Sequence, residues 1–278
     1  MSSAFESGLA QMPWVEGTTR VFGVIAHPVD HVRAPMVFNP LFASRKLPHI
    51  MVPIDAPPER LSMVISGLRA MPNFGGLAVT IPHKLPLASM CDHLGTAAEV
   101  TGAVNAVRFG ADGALYGDNF DGAGFVAGCS GNGFDLSGKR ILLIGAGGAA
   151  RAIAVALAQA GIAALDIANR HPAKAGALAA VIVSKTGFAA CRAVAPASCD
   201  GNGYDMIINS TSLGLKPDDD MPLVLDRVPL DTVIADIIMV PAETRWLAAA
   251  KARGHKVHYG RHMLDYQIEL IGQFIGAL

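Results

Sequence analysis

The chain has 278 residues, of which 51% are hydrophobic and 16% are charged, and its formal net charge at pH 7 is -1. This length allows two domains with cores of their own, and the apolar composition excludes an intrinsically disordered chain. The near-zero charge provides no electrostatic footprint for nucleic acid or an anionic membrane, so we expect a small-molecule partner.

Cysteine and histidine spacing indicates neither disulfides nor a metal. The four cysteines form no CxxC pair, so we expect reduced thiols and a cytoplasmic location. Residues 1–17 lack a signal-peptide pattern, and no apolar run approaches the length of a membrane span. Four histidines stand apart from cysteines and carboxylates at metal-ligand spacing: His93, His255, His258 and His262. No metal site is therefore predicted.

The first part of the chain alternates strands and helices without a phosphate-binding fingerprint. Apolar and β-branched runs predict strands over 19–25, 49–54 and 75–81. Helical periodicity predicts helices over 36–44 and 59–71, and a further helix opening at Lys84. This βαβα unit is expected to be a substrate domain.

A turn and a helix follow this unit. Two apolar runs, 101–109 and 114–116, read as strands, and the turn Gly110-Ala111-Asp112-Gly113 between them is suited to an antiparallel pair. The segment 117–125 then leads into a helix, with Asp121 at its start.

The stretch 139–170 is typical of a dinucleotide-binding fold. A buried strand over 141–144 is followed by Gly145-Ala146-Gly147-Gly148-Ala149-Ala150, then by a helix over 149–159 closed by Gly161, and by a strand over 165–168. In the GxGxxA pattern Gly145 permits the turn, Gly147 lets a pyrophosphate approach the backbone, and Ala150 allows close helix packing. A plain glycine-rich turn is the alternative, but the order of strand, turn, helix and strand favours a dinucleotide.

The end of the second strand indicates which dinucleotide. An acidic residue there would bind the ribose 2′-hydroxyl of NAD, but the chain has Asn169-Arg170, with Lys174 close behind. Arginine and lysine suit a 2′-phosphate, so NADP is predicted, with NAD as the alternative. On sequence alone, Arg170 is equally suited to stack on adenine or to be a solvated surface charge.

Further strands over 204–209, 233–237 and 256–259 complete the nucleotide domain. The tail 263–278 reads as an amphipathic helix whose apolar face carries Leu264, Ile268, Ile271 and Phe274. The predicted fold class is thus two-domain α/β: an N-terminal substrate domain over 1–121, to which 261–278 returns, and a Rossmann doubly wound NAD(P)-binding domain over 122–260.

Hydride transfer to a carbonyl requires a proton donor at the new alkoxide, and the reverse reaction requires a base there. Lys84, just after a strand end, and Asp121, at a helix start, are the candidates, because a lysine paired with a carboxylate can hold a proton between them. By spacing alone, a surface lysine and a helix N-cap account for the two residues as well.

From Gly23 to Phe274 the chain resembles the shikimate/quinate dehydrogenase family. Six segments carry the resemblance: Val79-Thr80-Ile81-Pro82-His83-Lys84, Gly102-Ala103-Val104-Asn105, Asn119-Phe120-Asp121-Gly122-Ala123-Gly124, Gly145-Ala146-Gly147-Gly148-Ala149, Asn209-Ser210-Thr211-Ser212-Leu213-Gly214 and Met263-Leu264-Asp265-Tyr266-Gln267.

The resemblance implies roles for individual residues. Lys84 and Asp121 would be the catalytic pair, and Thr80, Asn105 and Gln267 would contact the polyol ring. The predicted cofactor-binding residues are Gly145, Ala146, Gly147, Gly148, Ala149, Asn169, Arg170, Lys174, Thr211, Met239 and Gly260.

The chain departs from the family where the substrate is held. Val32 and Ala34 replace the two serines of a Ser-x-Ser-Pro segment that grips a carboxylate, Ala78 replaces an asparagine, and Met239 replaces a tyrosine. Each replacement removes a hydrogen-bond partner, and a buried polar group left without its partner costs about 1–3 kcal/mol. Shikimate itself should therefore bind poorly. Arg33 is a candidate carboxylate ligand or a solvated loop residue. His27 and His31 are assigned to the loop, with substrate contact as the alternative.

The predicted function is an NAD(P)-dependent oxidoreductase of a shikimate- or quinate-like cyclic hydroxy acid, working as a monomer or homodimer. A nucleotide-sensing or regulatory protein that kept the fold without turnover is the rival from another class. An enzyme acting on an unrelated substrate such as a folate derivative is a third possibility, but nothing in the sequence resembles a pterin site.

Overall fold

The structure is a computed structural model that describes residues 15–30, 32–196 and 199–278. It divides into two compact units. The first contains the described residues up to Gly95 together with Gly102–Asp118 and Ile271–Leu278, and the second contains Thr96–Thr101 and the described residues of Asn119–Leu270. The chain therefore passes from one unit to the other at 95/96, 101/102, 118/119 and 270/271.

The first unit is built on a mixed sheet with strand order β2-β1-β3-β5-β6-β4. Strand β1 is parallel to β2 and β3, whereas β5 is antiparallel to both β3 and β6. The predicted hairpin between β5 and β6 is confirmed, with Gly110 N donating to Ala114 O at 2.9 Å and Gly113 at φ 79. The strands are β1 Arg20–Ala26, β2 His49–Asp55, β3 Phe74–Val79, β4 His93–Leu94, β5 Ala106–Phe109 and β6 Leu115–Asp118, and the helices are α1 Ala34–Ser44, α2 Leu61–Arg69 and α3 Lys84–Ala88.

The second unit is built on a parallel sheet with strand order β12-β11-β10-β7-β8-β9. Counted from β7 the order is 3-2-1-4-5-6, that of a Rossmann fold, which confirms the predicted doubly wound sheet. Ile141, Leu142 and Leu143 of β7 are fully buried, because helices cover both faces of the sheet. Its strands are β7 Arg140–Ile144, β8 Ala164–Ala168, β9 Cys191–Val194, β10 Met206–Asn209, β11 Val233–Asp236 and β12 Val257–His258, and its helices are α4 Thr96–Thr101, α5 Asp121–Gly131, α6 Gly148–Gln159, α7 Pro172–Thr186, α8 Arg245–Arg253 and α9 Arg261–Phe274. The last residues of α9, from Ile271, belong to the first unit.

The strand predicted over 101–109 is wrong in its first half. The chain is helical in α4, Gly102 at φ 69 ends that helix, and the strand begins only at Ala106. Contacts within the second unit stabilise α4, since Arg151 Nη1 donates to Val100 O at 3.2 Å and Lys185 Nζ donates to a Glu99 carboxylate oxygen at 2.7 Å. These partners are distant in sequence, so local propensity could not reveal them.

The buried face of the C-terminal helix overlaps only in part with the predicted one, which it shares at Ile271. Leu264 is 48% exposed, whereas Met263, Gln267 and Ile271, spaced four residues apart, are buried. The apolar pattern misled because the buried face contains a polar residue, Gln267. The helix also ends at Phe274, four residues before the predicted end.

Glycines on α5 allow two other helices of the second unit to approach its backbone closely. A Cβ at Gly122 would overlap the carbonyl of Ala152 in α6, and one at Gly124 would lie 2.8 Å from the Gln267 Cβ in α9. One further turn along, a Cβ at Gly128 would lie 3.0 Å from His262 O. These contacts fix α5, which begins at Asp121, against the rest of the unit.

We predict that Gly122→Ala destabilises the protein by about 1–3 kcal/mol, because the new methyl group meets rigid backbone. Gly176→Ala is the matched control, since Gly176 is also helical but has nothing within 4 Å of a built Cβ. Alanine is the better helix former there, so this control should be neutral or stabilising by up to about 1 kcal/mol. Urea unfolding of both variants checks this, and equal midpoints would contradict the packing argument.

Candidate functional site

A cavity of about 440 Å³ opens within the second unit at the carboxyl ends of its central strands. Strands β7 and β10 are neighbours at the point where the strand order reverses, which is where open α/β sheets bind their ligands. Its walls include six of the predicted cofactor-binding residues: Gly145, Ala146, Gly147, Asn169, Arg170 and Thr211.

The turn that leaves β7 requires glycine at its first position. Gly145 has φ 127, which side-chain-bearing residues rarely adopt, and its N–H donates to Ala168 O at 2.8 Å. A Cβ at this position would lie 2.9 Å from Ser210 O, just after β10. The two strand ends therefore meet closely because Gly145 carries no side chain.

The next two glycines form an open backbone surface. Gly147 is the N-cap of α6 and Gly148 its first residue, and nothing lies within 4 Å of a Cβ built at either position. No side chain caps this helix end, so its first N–H groups and the positive end of its dipole are available to an anion. Ala149 continues the helix and Ala150 is fully buried against the unit's core. A pyrophosphate fits this donor set.

One end of the cavity is formed by the residues that follow β8. Arg170 is exposed and lines the cavity, and Asn169 Nδ2 donates to His171 O at 3.0 Å, which holds the turn before α7. Lys174, on the first turn of α7, is exposed but is not part of the cavity wall. Of the two basic side chains predicted here, only Arg170 lines the cavity.

Two strand ends on the other side of the cavity are joined by a buried carboxylate. Asp236 is fully buried at the end of β11 and accepts hydrogen bonds from Asn209 Nδ2 at 3.1 Å, Thr244 Oγ1 at 2.9 Å and Ile238 N at 3.0 Å. Burial raises the pKa of Asp236, and the donated hydrogen bonds act in the opposite direction.

Met239 and Gly260 belong to the segments beside this carboxylate. Met239 is 43% exposed. A Cβ at Gly260 would lie 2.5 Å from Ile237 O and from Ile238 O, so the chain after β11 rests directly on the Gly260 backbone. Neither residue is part of the cavity wall.

In the first unit, three predicted site residues lie on adjoining backbone segments. Lys84 is half-buried at the start of α3, and its carbonyl accepts from Val104 N at 2.9 Å. Asn105 is 3% exposed, and its carbonyl accepts from Val79 N at 2.8 Å, next to Thr80. Arg33 is exposed immediately before α1.

Two further predicted residues lie in the second unit. Asp121 is the first residue of α5, and its N–H donates to Asn119 Oδ1 at 3.0 Å. Phe120 is the N-cap, so Asp121 does not have the capping role that spacing had offered as an alternative. Gln267 is 7% exposed on α9 and lies against Gly124.

His27 follows β1 and its Nδ1 lies 2.8 Å from an oxygen of Asp55, the last residue of β2. Both side chains are partly exposed at the carboxyl edge of the first sheet. His31 lies outside the described residues.

The other histidines and the cysteines show no metal site within the described ranges, where no three His, Cys, Asp or Glu side chains group as ligands. His258 is fully buried between Phe125 and Phe134, neither ring nitrogen has a hydrogen-bond partner, and burial lowers its pKa to about 4. All four cysteines are free. In the part of the chain that the structure describes, no helix is long and apolar enough to cross a bilayer.

Sequence reasoning missed one wall of the cavity. Pro196, Cys199, Pro222 and Leu223 line it from two loops that follow β9 and β10. The sequence around these four residues carries no periodic pattern or motif, so only the fold reveals their position. Ser210, Ser212 and Leu213 also line the cavity, and they had been flagged only as parts of a family segment.

Comparison with known proteins gives consistent matches for both halves. The family model for the shikimate dehydrogenase substrate binding domain matches residues 24–107, and the model for shikimate/quinate 5-dehydrogenase matches residues 130–213. A shikimate dehydrogenase (NADP(+)) of Rubrobacter xylanophilus is 38% identical over 257 residues, covering 92% of this chain and 90% of the relative.

Solved structures extend the likeness to the fold. A shikimate dehydrogenase in complex with NADP+ is 33% identical with a TM-score of 0.82, covering 96% of this chain and 93% of that one. The ligand-free 5-ketofructose reductase of Gluconobacter sp. strain CHM43 is 33% identical with a TM-score of 0.80, covering 92% of both chains. With both halves matched and a relative of this identity spanning nearly its whole length, the chain belongs to the shikimate/quinate 5-dehydrogenase family.

Proposed function

We propose that this chain moves hydride between a nicotinamide dinucleotide and a secondary alcohol or ketone of a shikimate- or quinate-like cyclic hydroxy acid. Its relatives are NADP(+)-dependent shikimate dehydrogenases, and this relationship indicates an NADP-dependent oxidoreductase. The observation that carries the proposal is the cavity at the β7–β10 junction, where open glycine backbone at a helix N-terminus fits a dinucleotide.

Bound dinucleotide would supply or accept the hydride, and the protein's own residues would handle the proton. We assign Lys84 as the general acid/base at the reacting oxygen and Asp121 as the carboxylate that orients and tunes it. Thr80, Asn105, Gln267 and Arg33 are the proposed substrate contacts. Residues 1–121 with 261–278 would hold the substrate and 122–260 the cofactor.

Lys84→Met should lower kcat by roughly 100-fold to 10,000-fold, the range that a positioned acid/base contributes, while leaving the Kd for NADP unchanged. Asp121→Asn should lower kcat as well. Lys256→Met, which removes an exposed lysine elsewhere, serves as the control. The measurement is the steady-state rate with shikimate, quinate and related cyclic hydroxy acids.

An undiminished rate in Lys84→Met would remove that lysine from the mechanism. If the unaltered protein binds NADP but turns over none of these substrates, the sensor hypothesis replaces the enzymatic one.

Arg170 is the proposed reader of the 2′-phosphate. Arg170→Ala should raise the Kd for NADP by roughly tenfold or more through loss of a charge-assisted hydrogen bond, and should leave the Kd for NAD nearly unchanged. Arg253→Ala, an exposed arginine paired with Asp226, is the control. Titration of both dinucleotides by fluorescence checks this, and a parallel loss for NAD would instead place Arg170 on the shared part of the ligand.

A second candidate function is reduction of an uncharged polyhydroxy ketone. Val32 and Ala34 stand where the family has two serines for a carboxylate, and one similar solved structure is a 5-ketofructose reductase. Neither apolar side chain can donate a hydrogen bond to a carboxylate.

Restoring both hydroxyls in Val32→Ser/Ala34→Ser should therefore raise kcat/KM for shikimate by roughly tenfold or more and leave that for 5-ketofructose unchanged or lower. The two kcat/KM values are measured for the unaltered chain and the double variant. A clear preference of the unaltered chain for shikimate would reject the second candidate.

A further inference from the structure

Asp236 occupies a position that ties three segments of the second unit together. One carboxylate oxygen accepts from both Asn209 Nδ2 and Thr244 Oγ1, and the other accepts from Ile238 N. Asn209 ends β10, Ile238 follows β11, and Thr244 caps α8 by accepting from Leu247 N at 3.3 Å. A carboxylate is the side-chain group that can accept from all these donors at once.

Asn209 passes this constraint on to the loop beside the cavity. Its Nδ2 also donates to Leu213 O at 3.0 Å, and its Oδ1 accepts from Thr211 N at 3.0 Å and Thr211 Oγ1 at 2.7 Å. Thr211 Oγ1 in turn accepts from Leu213 N at 3.0 Å. Every residue from Ser210 to Leu213 lines the cavity, so one amide side chain sets the shape of that wall.

The orientation of the Asn209 amide is therefore decisive. With Nδ2 directed at the Asp236 carboxylate, Oδ1 is directed at the donors of Thr211. An amide in the opposite orientation would face its own oxygen toward a carboxylate and its NH₂ group toward N–H and O–H donors, which is unfavourable on both sides.

We propose that Asp236 is a positioning residue for dinucleotide binding: through Asn209 it holds the Ser210–Leu213 loop in the conformation that forms one wall of the cavity. The inference rests on the proposed function in taking the cavity as the dinucleotide site. Asp236 itself is buried and is not part of the cavity wall, so it acts on the ligand only through these neighbours.

The test compares NADP binding in variants of this network. Asp236→Asn keeps the size of the side chain but sets an NH₂ group against at least one of its present donors, and should raise the Kd and the KM for NADP by roughly tenfold, with a smaller change in kcat at saturating NADP. Because Kd is measured without turnover, failure of this inference is distinguishable from failure of the proposed reaction, which would appear as an unaltered protein that binds NADP but turns over none of the substrates.

Thr232→Val is the control that distinguishes an effect on NADP binding from a general loss of stability. Thr232 is buried just before β11, at the opposite end of the same strand, where its Oγ1 donates to Tyr204 O at 2.8 Å. This variant should lower the melting temperature without changing the Kd for NADP. If Asp236→Asn binds NADP like the unaltered protein, or if Thr232→Val weakens binding equally at matched loss of stability, the proposal is overturned.

The exchange Asn209→Asp with Asp236→Asn tests the pair directly. Asn209→Asp alone places two carboxylates side by side, whereas the double variant restores an amide facing a carboxylate. The proposal requires the combined loss of NADP affinity to be smaller than the product of the single losses. Losses that simply multiply would overturn it.

If Asp236→Asn does not fold, Thr244→Val provides a second test, because it removes one donor to the same carboxylate oxygen. This variant should also raise the Kd for NADP, by a smaller factor. An unchanged Kd would overturn the proposal.

Discussion

The close approach of two strand ends at Gly145 and Ser210 is the constraint on which the nucleotide half depends. Ser210 N and Ser210 Oγ both donate to Ile144 O at 2.8 Å, so the chain leaving β10 is held against the end of β7. Any side chain at Gly145 would occupy this contact. The cavity exists because the strand order reverses at this point and the following helix begins with bare backbone.

Close backbone approach recurs on α5, where a neighbouring helix occupies the space that a side chain would fill at two glycines. Gly122 admits the carbonyl of Ala152, and Gly124 admits the Cβ of Gln267. A helix interior normally disfavours glycine by about 1 kcal/mol relative to alanine, so tertiary packing must supply more than that here. The same contacts hold the helices that carry two of the proposed site residues. Asp121 is the first residue of α5, and Gln267 is buried on α9.

Features encoded in neighbouring residues could be predicted from the sequence. The strand, glycine turn and helix around Gly145 and the hairpin turn at Gly113 are local patterns, and both are present as expected. Helix α4 was missed because its stability comes from Arg151 and Lys185, more than fifty residues away. The buried face of α9 was predicted only in part, at Ile271, because Gln267 interrupts its apolar pattern.

The candidate site divides in the same way. Gly145, Gly147, Asn169 and Arg170 follow from a motif with fixed spacing. Residue chemistry alone could not distinguish Lys84 or Asp121 from an ordinary surface lysine or helix cap, and only the family resemblance selected them. Cys199 and Leu223 reach the cavity through the path of long loops, for which a linear sequence offers no signal.

The division of the chain has a consequence for how such proteins diversify. Thr96–Thr101 is embedded between stretches of the first unit yet packs with the second, where Val100 contributes to the core. A contiguous gene segment encoding only the nucleotide half would leave that helix behind and uncover the apolar surface beneath it. Exchange of a contiguous half between relatives would therefore separate Thr96–Thr101 from the core that it completes and would cost stability.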